Sequence, residues 1–79
     1  MANYIIRNSA GGNARTFRWS AKAGMSTAAL THAVECSRWG GPVFDGDAAD
    51  EAQAEFAEIH EQYLSGECSD LVAAIFQGH

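Results

Sequence analysis

No lysine or arginine follows Arg38. All five bases, Arg7, Arg15, Arg18, Lys22 and Arg38, lie in residues 1–38 with a single acid, Glu35, whereas residues 39–79 hold nine acids and no base. The two parts carry +4 and −9, giving the −5 of the whole chain. Phosphate is repelled by such an acidic surface, which disfavours free nucleic acid as a partner and favours a basic protein. Cysteine is also scarce. Cys36 and Cys68 are too few for a disulfide framework, and both are expected as free thiols on small, half-buried side chains. No apolar run is long enough for a membrane span, and the start of the chain lacks the basic and apolar regions of a signal peptide. A protein of the reducing cytoplasm is therefore expected. No motif in the chain names a reaction or a cofactor. At seventy-nine residues it is read as one compact domain, 1–79, too small for a deep multi-residue active site.

What is present is patterning. Residues 4–20 read as a β-hairpin around Gly11-Gly12, a pair suited to a two-residue turn. That turn pairs Ile6 with Phe17 and Tyr4 with Trp19, placing these four on one face and Ile5, Arg7, Thr16 and Arg18 on the other. Ser26 is an expected N-cap for a helix running to Arg38, stopped by Gly40-Gly41-Pro42. Leu30, Ala33, Val34 and Ser37 form its apolar stripe. Trp39 lies off that stripe, either folded back under the following loop or exposed as a contact anchor.

A second helix is expected from about Asp47 to Leu64, ending at Ser65-Gly66. At about 100° per residue, Ala49, Ala52, Phe56, Ile59, His60 and Tyr63 share one face and the acids fall opposite. The apolar segment 71–76 is read as a third strand, with a helix capped by Ser69 as the alternative. The fold class is then α+β: a small antiparallel sheet, formed by the hairpin and a C-terminal strand, packed against two helices.

The stretch "GDAADEAQAEFAEIHE", residues 46–61, carries six acids and no lysine or arginine. As a calcium loop it fails, because alanine and aspartate occupy the positions that need an oxygen ligand and a glycine. His32 and Cys36 have chelating helical spacing, but Cys68, His60 or His79 would have to complete a zinc set from separate places. No metal or cofactor is expected. The same His32–Cys36 pair has no recognisable oxyanion hole or orienting group, so catalysis is not expected. The row Asp47, Glu51, Glu55 and Glu58 sets like charges three and four residues apart, which costs local helix stability. A locally unfavourable arrangement fits a contact surface. Asp47, Asp50, Glu51, Glu55, Glu58 and Glu61, with Trp39, are therefore the candidate partner-binding residues.

A small acidic domain with an Asn3-Tyr4-Ile5-Ile6-Arg7 strand, a Gly-Gly hairpin and short helices resembles the phage-encoded anti-CRISPR proteins. Those directed against type I (Cascade) effector complexes are most similar, a type I-C inhibitor in particular. The likeness lies in length, charge and element order across the chain and carries over no functional residue. It implies a non-enzymatic inhibitor that docks on subunits of the RNA-guided complex and blocks recognition of target DNA. The alternative from another class is a small acidic structural or adaptor protein, phage-related, working through homo-oligomer or protein–protein contacts. Either would be a monomer or homodimer away from membranes.

Overall fold

The computed structural model describes residues 2–78 and runs β1 (Asn3–Asn8), β2 (Arg15–Arg18), α1 (Thr27–Ser37), β3 (Pro42–Asp45), α2 (Ala49–Ser65) and α3 (Asp70–Gln77). The strands form one antiparallel sheet in the order β2-β1-β3. The class is α+β, with a three-stranded sheet and three helices among the described residues.

The expected faces are present, but the hairpin register is displaced. Tyr4 pairs with Phe17 and Ile6 with Arg15, and a looser loop spans Ser9–Ala14 in place of a two-residue turn. Asn8 is the cause. Its backbone bonds Gly11 and Gly12, and its side-chain Oδ1 accepts from the Gly12 N–H at 3.0 Å. A shift of two residues keeps every side chain on its face. Tyr4, Ile6 and Phe17 therefore still point inward, while Arg7, Thr16 and Arg18 still line the outer face.

The third strand is not the C-terminal segment. Residues 71–76 belong to α3, where the Ser69 hydroxyl accepts from the Val72 N–H at 3.3 Å and Gly78 closes the helix in the left-handed region at φ 80°. Both ends are those of a capped helix. The strand beside β1 is instead Pro42–Asp45, which pairs Ile6 with Phe44 and Ile5 with Asp45. The chain leaves it through Gly46, at φ 97°, where a Cβ would sit 3.0 Å from the Asn3 carbonyl oxygen. Only glycine fits that turn.

α1 and α2 cover one face of β1 and β3, and α3 lies behind them against both helices. The core joins Tyr4, Ile6 and Phe44 of the sheet to Ala29, Leu30, Ala33, Val34 and Cys36 of α1, and to Ala52 and Phe56 of α2. Ser37, expected on the α1 stripe, is exposed, while His32 and Cys36 are buried. α1 lies between the sheet and α3, so its buried surface is wider than one stripe. Tyr63 and Phe76 stack 4.8 Å apart between α2 and α3, while His60, expected on the inner face of α2, stacks on Phe76 but is exposed. The opposite face of the sheet carries no helix among the described residues, and there Arg7 pairs with Asp45 at 2.9 Å.

Candidate interaction surface

The acids of residues 46–61 separate into two groups. Asp47 is exposed in the turn before α2. Asp50 and Glu51 occupy the first turn of the helix, which has no side-chain cap, and their charge suits its positive end. Glu58 and Glu61 are exposed further along, beside Gln62, Ser65 and Glu67 on an open hollow. Among the described residues the ion pair is Arg7–Asp45 alone, so none of these carboxylates is paired with a base there.

Glu55 behaves differently. It is half-buried, and its carboxylate accepts from the Met25 N–H while lying tightly against Gly24. It ties the loop before α1 to the middle of α2. The expected row Asp47, Glu51, Glu55, Glu58 is therefore broken at its third member, and the free face consists of Asp47, Asp50, Glu51, Glu58 and Glu61. Nothing in the sequence pattern marks Glu55 as different. The signal lies in a loop thirty residues away.

Trp39 is 64% exposed, so its expected cover under the following loop is absent. Gly40 and Gly41, at φ 103° and 116°, carry the chain directly into β3 and leave the indole outside. Its backbone is nonetheless held, since the Trp39 and Gly41 N–H groups both donate to the Cys36 carbonyl, at 3.0 and 3.1 Å. Beside it, a cavity of about 290 Å³ is lined by Asn13, His32, Glu35, Cys36, Arg38 and Trp39.

The two residues of chemical interest in that cavity are committed elsewhere. His32 Nε2 faces the carbonyl oxygens of Ile6, at 3.2 Å, and of Asn13, so this nitrogen carries the proton and donates to both. The imidazole thereby fastens the hairpin loop to α1. Burial pushes the Cys36 thiol above its ordinary value, and the neighbouring Glu35 carboxylate adds to this. A nucleophilic or metal-binding cysteine needs the opposite shift. Among the described residues no three of His, Cys, Asp and Glu cluster as metal ligands, and His79 lies outside them. Cys36 and Cys68 are both free, with Cys36 more deeply buried than expected.

Inside the core, the Tyr4 hydroxyl is buried without a hydrogen-bond partner among the described residues. Burial raises its pKa above the ordinary value, and the Glu55 carboxylate contributes in the same direction. Among the described residues no helix is long and apolar enough to cross a membrane. Comparison with known protein families, curated proteins and solved structures finds no match to this chain.

Proposed function

We propose that this protein is a non-enzymatic inhibitor that binds a basic protein surface through the outer face of α2. The family resemblance makes a type I CRISPR effector complex in the cytoplasm of a bacterial host the target, and blocked target-DNA binding the consequence. One observation carries the reading: Asp50, Glu51, Glu58 and Glu61 stand exposed on a single rigid helix with no base paired to them among the described residues. Protein channels that hold a nucleic-acid duplex present arginine and lysine to its phosphates. A helix bearing a row of carboxylates competes for those side chains through charge-assisted hydrogen bonds.

The test is charge reversal at Glu51, Glu58 and Glu61 together, leaving Glu55 in place because it holds the fold. The triple variant should keep its circular dichroism spectrum and lose binding to a purified type I effector complex. The complex should then bind target DNA as if no inhibitor were present. Association of the unaltered protein should slow as salt rises. Undiminished inhibition by the triple variant would rule the acidic face out.

A second reading, the self-associating adaptor, draws on a different surface. Leu64 and Leu71, 71% and 57% exposed, lie on either side of the turn from α2 to α3. A homodimer seen by sedimentation and dispersed by Leu71→Asp would favour it.

A further inference from the structure

We infer that the cavity between the hairpin loop and the C-terminal end of α1 receives the guanidinium of an arginine side chain from a protein partner. The partner's basic character rests on the proposed function, whereas the cavity's own preference follows from its walls. One wall is the exposed indole of Trp39, whose π face attracts cations. A second is Glu35, an exposed carboxylate with no ion-pair partner among the described residues. It stands near the negative end of α1, where a carboxylate is locally unfavourable and a cation is favoured. The third is Asn13, held in the left-handed region at φ 58° with its carbonyl bound by His32. The backbone at two of the three walls is held before any ligand arrives: at Trp39 by its main-chain N–H to the Cys36 carbonyl, at Asn13 by its carbonyl to His32.

The chain's own cation at this site is directed elsewhere. Arg38 borders the cavity, but its guanidinium lies against Gly78 at the C-terminal end of α3. Glu35 forms no ion pair with it. An anion would meet Glu35 and the negative helix end, and a purely apolar group would strip water from Glu35 without replacing its hydrogen bonds. A planar guanidinium does neither. It stacks on an indole and meets a carboxylate with two parallel N–H groups, which an ammonium cannot do.

The experiment is an amide and indole NMR titration of the full chain with N-acetyl-L-arginine amide, its lysine counterpart, and its neutral citrulline isostere. Saturable shifts are expected at the Trp39 indole and at Glu35 and Asn13 with arginine, weaker with lysine and absent with citrulline. Glu35→Gln and Trp39→Ala should each weaken the arginine probe about fivefold, with Trp39→Phe recovering part of the loss. Both side chains are exposed, so the variants should stay folded. Reversing Glu51, Glu58 and Glu61 should leave the shifts in place. Equal response to citrulline, indifference to Glu35→Gln, shifts confined to α2, or no saturable shift would each overturn the inference. The two proposals fail separately. A cavity that takes arginine in a protein that ignores effector complexes refutes the functional reading alone, and effector binding without arginine shifts refutes the cavity alone.

Discussion

Glu55 and Glu58 are the same residue type on the same helix, less than one turn apart, yet they belong to different parts of the molecule. Glu55 turns toward the loop before α1 and holds the Met25 N–H, while Glu58 stands in solvent with no partner among the described residues. The inner side of α2 contributes to stability, and its outer side bears charge that folding does not use. A carboxylate becomes structural when a backbone N–H without another partner comes within reach, and its position in a row of acids does not decide this.

The largest expected effect tests the inner side at its centre. Phe56 lies 5.9 Å from Phe44 of the sheet and 6.0 Å from Phe76 of α3, joining all three layers. Phe56→Ala should lower unfolding stability by about 3 kcal/mol in chemical denaturation. A loss below about 1 kcal/mol would mean that α3 is not docked through this ring. The next effect isolates the carboxylates. Glu55→Ala should cost about 2 kcal/mol, because a hydrogen bond to a charged acceptor is lost and a partly buried N–H is left open. Glu58→Ala should change stability by less than about 0.5 kcal/mol. Equal costs at the two positions would dissolve the distinction between the sides of α2.

Much of this was legible in the sequence because it depends on near neighbours. Alternation along residues 4–7 and 16–19 gives the inward and outward faces of the hairpin, and this survives a register displaced by two residues. Ser26 and Gly66 mark helix ends through their own conformations. The third strand was obscured by its brevity. Pro42–Asp45 is four residues long and begins at the proline that the sequence pattern assigns to the stop of α1, although α1 already ends at Ser37, so the stop signal absorbed the start of the strand. The C-terminal segment is short and apolar, a pattern shared by a buried strand and a buried helix, and only the caps at Ser69 and Gly78 separate the two. At the candidate surface, the acidic face follows from helical periodicity. The withdrawal of Glu55 and the exposure of Trp39 do not, because each depends on where a distant loop passes.

A third prediction concerns the other buried oxygen near Glu55. The Tyr4 hydroxyl is fully enclosed and unpartnered among the described residues, so Tyr4→Phe should raise stability by about 1 kcal/mol at neutral pH. The pH dependence has a definite sign. Tyr4 and Cys36 are acids whose pKa values are raised on folding, so the native chain keeps both protons after the unfolded chain begins to lose them. Their contribution is complete below the ordinary values of 9.0 for the thiol and 10.0 for the phenol, and declines as pH rises through each toward the folded value. Denaturation midpoints should therefore fall from about pH 9 upward. Tyr4→Phe should remove the component beginning near pH 10 and leave the earlier one in place. A midpoint that stays flat to pH 11 in the unaltered protein would show that the native chain exchanges these protons as freely as the unfolded one.

The smallest effect has the opposite direction from the Glu55 loss and comes from the outer face. Glu58 and Glu61 are exposed acids one turn apart, in the half of α2 that runs toward its negative end, and the last turn carries no base. Each repels the other and is disfavoured by the helix dipole. Replacing both with glutamine should therefore stabilise the protein by a few tenths of a kcal/mol, up to about 0.5, with the gain largest at low ionic strength and nearly gone at high salt. A stabilising double substitution beside a destabilising Glu55→Ala would show two acidic sets on one helix, one retained for the fold and one at a cost to it. If the double variant is less stable than the original, the outer carboxylates hold partners within the chain, and the local cost that points to an external basic surface disappears.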